Sequence, residues 1–164
     1  MRWFRFAVLV LFATVLQAGF LVNFSYKPDL LLILLVFFAV YCNTSEAIVS
    51  SFVIGFTADL IAPVMGPQTI SFGLVGTLLA YLHRVLAIRK MHYQALAIFV
   101  TGILTGILAN LLNILRGESI MSGVFGNILK ISLFSGIVGP FLFVPSAWWM
   151  RIKTNRFRRN RTTR

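Results

Sequence analysis

Six apolar blocks, divided by polar breaks only a few residues long, take up nearly all of this 164-residue chain. Five of them run 3–22, 29–41, 46–61, 69–88 and 93–115, and the last apolar stretch covers 123–150, with its span placed at 127–150. A helix needs about 20 apolar residues to cross hydrocarbon, and fewer than about 17 is marginal. Blocks two and three are therefore short. Hydrophobic residues make up 59% of the chain and charged ones 12%, against about 25% charged in a soluble domain. So few polar side chains cannot cover a soluble surface, and the bilayer must be the solvent for most of it. The expected fold class is all-α: a polytopic membrane protein with one compact six-transmembrane-helix domain over 1–150 and a basic tail over 151–164.

The net charge of +11 decides how the blocks are threaded. Seven of the fifteen basic residues lie in the last fourteen positions, among them Arg151, Lys153, Arg156, Arg158 and Arg159. With six spans and the N-terminus inside, the cytoplasmic side receives Arg2 and Arg5, then Arg84, Arg89 and Lys90, then the tail. The other side keeps Lys27 and Arg116, with Lys130 near it. Merging blocks two and three puts either the 84–90 cluster or the tail on the wrong face. Both termini are thus expected in the cytoplasm. Thr44-Ser45-Glu46 after Asn43 resembles a fresh helix start, with Asn43, Thr44 or Ser45 free to accept from unpaired amides. A short second span must be shielded by neighbours or supplemented by its flanks, because backbone in lipid has to satisfy itself.

The basic flanks read as contacts to anionic lipid, roughly 1 kcal/mol each; no soluble basic domain is present to hold nucleic acid. Residues 1–5 and the run behind them look like a signal peptide. A cleavage after Ala18, however, would place bulky Leu16 where a small residue is wanted, and the apolar stretch continues through Val22. An uncleaved first span is expected.

Catalytic chemistry is thinly provided. Cys42 is the single cysteine, which rules out an intrachain disulfide and a cysteine-rich metal site. His83 and His92 have no carboxylate near them in sequence, so a metal site is not expected. Gly55-x-x-x-Asp59 lacks the Lys and Ser/Thr of a phosphate loop, and no nucleophile–base arrangement stands out. We expect no enzyme and no cofactor. Asp59, near the end of block three, needs a partner, with Arg116, Lys130 and the amide of Gln68 as candidates. A charge pair or helix-end hydrogen bond bracing loop 62–67 is the principal reading, direct partner contact the next, and ion or proton conduction the last, since the middle of no span carries a second acid. Asp29 and Asp59 are expected to share one outer rim. Gly102-x-x-x-Gly106, with Thr101, Thr105 and Ala109, is a close-packing stripe for a helix of this chain or a foreign one. Gly73 and Gly76 read likewise, and Asn110 and Asn113 can hydrogen-bond across helices. Trp148 and Trp149 look like an interfacial aromatic belt.

The order of three motifs resembles the MreD family, the small integral membrane subunit of the bacterial rod-shape system. Pro28-Asp29-Leu30 opens the second block, and Gly55-Phe56-Thr57-Ala58-Asp59-Leu60 ends the third. Gly66-Pro67-Gln68-Thr69-Ile70 then leads into Gly73, Gly76 and Leu82. Blocks five and six match only in character. The resemblance implies a scaffold in the bacterial inner membrane that binds the span of an MreC-like protein. It further implies indirect association with MreB, RodA and its penicillin-binding transpeptidase. It also implies a fold like the substrate-binding subunits of energy-coupling-factor transporters, which supplies the rival: a vitamin-binding transport subunit. Such subunits often carry alanines four apart in their first helix, and here Ala7, Ala13 and Ala18 are not so spaced. Asp29, Gly55, Asp59, Gly66, Gly102, Gly106, Asn110 and Asn113 are the expected packing or partner positions. The basic residues of 84–90 and of the tail are the expected cytoplasmic contacts.

Overall fold

The computed structural model describes residues 3–20, 28–62, 65–82, 91–117 and 123–150. Among the described residues there are six α-helices and no strand. Helix α1 is Trp3–Val15, continued by a π-helical turn over Leu16–Phe20; α2 is Leu30–Tyr41 and α3 Thr44–Ile61. Helix α4 is Pro67–Leu82, α5 Met91–Leu115 and α6 Val124–Met150. Thr44–Ile61, Tyr93–Leu115 and Val124–Ser146 are long and apolar enough to cross a membrane.

The shortest of the six helices lies at the centre. Helix α2 has no polar residue before Tyr41, and its twelve residues rise only about 18 Å. Residues 31–40 are buried without a break, and α2 packs against all five other helices. A helix apolar on every side is what a bundle centre requires. Its shortness carries no penalty there, because neighbours and not lipid surround it. The shielding expected from its length is present on every side.

Side-chain register fixes the helix directions. Phe6 stacks edge-on against Phe38 at 4.9 Å and Gln17 reaches Asp29, so α1 runs antiparallel to α2. Asp29 meets Ser135 and Phe37 meets Phe143, so α6 runs parallel to α2. The two-residue link 42–43 folds α3 back along α2. Helix α1 therefore begins at the end of the bundle where α6 finishes, here the near end. Asp29 and Asp59 sit towards the opposite, far end. Helix α6 passes through Pro140 and Pro145, which lack the amide that would bond Gly136 and Phe141.

Glycines set the closest approaches. A Cβ on Gly55 would stand 2.8 Å from the Cα of Thr69, and Gly73 and Gly76 lie against Phe52 and Ser51. These contacts close α3 on α4. On α5, Gly102 meets Ser132 of α6 and Leu32 of α2, and Gly106 meets Ile128 of α6. The Gly102–Gly106 stripe is thus spent within the chain, and Thr101, Thr105 and Ala109 are buried beside it.

Two local expectations change. Asn43 is the N-cap of α3, but its side chain makes no capping bond. Helix α4 starts at Pro67 instead of 69, since Pro fits a first helical position and Gly66, at φ 112°, turns the chain into it.

Candidate functional site

Both Asp29 and Asp59 are helix caps, each built differently. Asp29 is the N-cap of α2, in extended conformation, where four amides have no partner inside the helix. Its Oδ1 accepts from the amides of Leu31 and Leu32 and from Nε2 of Gln17, each at 3.1 Å. Gln17 Oε1 in turn accepts from Leu31 N at 3.2 Å, and the Asp29 amide donates to Ser135 Oγ at 2.8 Å. One carboxylate oxygen and one amide thereby tie α1, α2 and α6 together.

Asp59 is 2% exposed and lies near the end of α3, yet it caps α4. Its Oδ1 accepts from Gln68 N at 3.0 Å, and its Oδ2 from Thr69 N at 2.8 Å and from the Thr69 hydroxyl. Of the partners expected from sequence, Gln68 contributes, through its backbone. Arg116 instead donates to the Met65 carbonyl and packs on Gly66. A negative charge at an exposed helix N-terminus is favourable, and here it is satisfied by hydrogen bonds from the amides themselves. The arrangement ties the end of α3 to the start of α4 through hydrogen bonds.

The remaining positions divide by location. Gly55, Gly102 and Gly106 face neighbouring helices of this chain. Asn110 and Asn113 are half-buried on the far half of α5, and Asn113 Oδ1 is buried with no hydrogen-bond partner among the described residues. Arg84, Arg89, Lys90, Arg151, Lys153, Arg156, Arg158 and Arg159 lie outside the described residues. Cys42 is half-buried in the link between α2 and α3, where burial first and the charge of Glu46 second push its thiol up to about 11. It is a neutral thiol at pH 7, not a nucleophilic thiolate. No group of three or more metal-ligating side chains occurs among the described residues.

Sequence reasoning missed Gln17 and Ser135. An amide and a hydroxyl inside apolar helices were the available signal, since such groups seek partners in a medium that offers none. Two apolar grooves were also missed. One, of about 430 Å³, opens between α1 and α6 over α2, with Val8, Phe12, Leu16, Leu34, Ser146 and Trp149 among its walls. The other, of about 400 Å³, is a shallow trough along α5 and α6 past Ala95, Phe99, Gly136 and Pro140.

The Asp29 cluster makes a first prediction. Asp29→Ala should cost about 1–2 kcal/mol of stability through loss of the cap. Asp29→Asn should melt close to the parent protein, since one amide oxygen can replace the single oxygen that takes all three bonds. Thermal unfolding in nanodiscs measures both.

Among family models, the one described as rod shape-determining protein MreD matches residues 1–149. No curated protein and no solved structure matches the chain.

Proposed function

The chain belongs to the MreD family, and from that membership we propose that it is a non-catalytic membrane scaffold of the rod-shape complex. In this reading it binds the single span of an MreC-like protein. Through that partner it helps organise MreB, RodA and the penicillin-binding transpeptidase for wall synthesis. Both termini lie in the cytoplasm, as the charge distribution favours.

The observation that carries the reading is the α5–α6 pair. These helices have 25 and 27 residues, so each rises about 37–40 Å, enough to accompany a partner helix across the whole membrane. The shallow trough between them is floored by Ala95, Gly136 and Pro140. Small residues allow a second helix to approach closely where lipid offers no hydrophobic drive to association. Leu96, Leu133, Ile137 and Phe141 stand exposed beside it.

A photo-reactive amino acid at Leu133, Ile137 or Phe141 should capture the MreC-like span in cell membranes. The same probe at Leu74 or Leu78 on α4, also exposed, should not. Capture from α4 alone would overturn the placement, and capture from neither would count against the partner itself.

A further inference from the structure

Helix α6 carries a break in its own hydrogen bonding at the middle of the membrane. Pro140 has no amide, so the carbonyl of Gly136 lacks the partner that a regular helix provides four residues on. Gly136 is one residue past the midpoint of the apolar span Val124–Ser146. The carbonyl therefore lies near the centre of a hydrocarbon layer about 30 Å thick. Water is absent at that depth, and an unbonded backbone group is expensive there. Pro145 repeats the omission a little over one turn later, at the carbonyl of Phe141.

The trough between α5 and α6 opens on that break. A helical carbonyl points along the axis towards the residue four positions on, and Gly136 and Pro140 both belong to the trough. The carbonyl oxygen of Ala95, on α5, approaches the same spot, 3.2 Å from where a Cβ on Gly136 would stand. No residue lining the trough has a side chain able to donate a hydrogen bond. The trough thus offers an acceptor and no donor. Ala95, Gly136 and Pro140 let a second backbone come close, so the group that reaches the carbonyl must sit on a short side chain. A charged donor is costly at mid-bilayer. Serine and threonine meet both conditions.

We propose that the trough recognises a partner span through a serine or threonine hydroxyl, which donates to the Gly136 carbonyl at mid-membrane. The inference rests on the trough being the docking face of the MreC-like span. The hydroxyl supplies the bond that Pro140 withholds, which fixes one position of the partner in register against α6. An apolar span without such a hydroxyl fits the trough and leaves the carbonyl unsatisfied. The break therefore adds a selectivity that close packing of small residues does not provide.

Pro140→Ala returns the amide to α6 and keeps the side chain small. In nanodiscs the chain alone should then melt several degrees higher, because the helix satisfies its own carbonyl. Capture of the MreC-like span by a photo-probe at Leu133, titrated in the same nanodiscs, should weaken about three-fold. That is the usual weight of a hydrogen bond between membrane helices. Pro145→Ala restores an amide in the wall of the other groove and should leave capture unchanged. Each serine of the partner span is then replaced by alanine and each threonine by valine. One of these changes should weaken capture by the parent chain to the same degree, and Pro140→Ala should have no further effect on that variant. A melting temperature that does not rise in Pro140→Ala means that the carbonyl already has a partner within the chain, and overturns the proposal. Equal weakening by Pro140→Ala and Pro145→Ala assigns the effect to straightening of α6, and losses that add assign it to shape; either overturns it too. Capture at Leu133 that no hydroxyl replacement weakens overturns the hydroxyl and leaves the docking face standing. Absence of capture at Leu133 removes the docking face itself, and the proposal with it.

Discussion

Asp59→Ala is expected to lower the stability of the bundle by about 3–4 kcal/mol. The carboxylate is buried, and three donors converge on it from the start of α4. A hydrogen bond to a charged group contributes about 1.5–3 kcal/mol, and each donor left unpaired in the interior adds a penalty. Alanine removes all three bonds and puts nothing in their place. Asparagine should recover only about half of the loss. Its single oxygen can serve either Gln68 or Thr69, and its amino group faces the other amide donor to donor. This separates the two acids: Asp29→Asn should be nearly silent, because one oxygen does all the capping, and Asp59→Asn should not. Thermal unfolding of the three variants beside the parent in nanodiscs measures the difference. Equal melting of Asp29→Asn and Asp59→Asn would contradict the assigned geometry.

The second large effect is expected at Gly55. A Cβ there would meet the Thr69 Cα at 2.8 Å, the Gln68 carbonyl oxygen at 3.0 Å and the Phe72 Cβ at 3.0 Å. Two of these are backbone atoms of α4 and cannot swing away, so the helices themselves must part. Gly55 is one turn before Asp59, and parting them there also pulls the cap from Gln68 and Thr69. Alanine raises intrinsic helix stability by up to about 1 kcal/mol, but overpacking costs about 1–3 kcal/mol and the strained cap adds to it. Gly55→Ala should therefore destabilise by about 2 kcal/mol net, and Gly55→Leu should prevent the native hairpin from closing. Gly126 provides the opposite sign. Nothing lies within 4 Å of its would-be Cβ, so Gly126→Ala should raise stability by up to about 1 kcal/mol. Gly55→Ala and Asp59→Ala share one contact and should combine less than additively.

Several of these features were legible without coordinates. The Pro28-Asp29-Leu30 break marks a helix start, because Asp is a strong N-cap and the twelve residues after it are an uninterrupted apolar run. Asp59 was recognisable as an acid in need of satisfaction, although three candidate partners were open. The choice of amides over Arg116 depends on how closely the start of α4 meets the end of α3. Sequence spacing carries no such information. The Gly102–Gly106 stripe was legible as a close-packing surface, and its partner was not. Glycine pairs look alike whether the helix that meets them belongs to the same chain or to another.

The apolar blocks, their number and the bilayer as their solvent followed from composition and charge. The resemblance to the MreD family came instead from the order of short motifs around Asp29, Asp59 and Pro67. Those are one-dimensional properties: a run of Leu, Ile and Phe is apolar wherever it is placed. Which run sits at the centre was decided by tertiary structure alone. In water, burial leaves a periodic mark, since the exposed face must be polar. In a bilayer both faces are apolar, lipid being as apolar as a protein core, and α2 shows no preferred side. Its place at the centre, the pinning of α1 and α6 at Asp29, and the groove left between them come from the shapes of facing side chains. Those exist only once the helices have met.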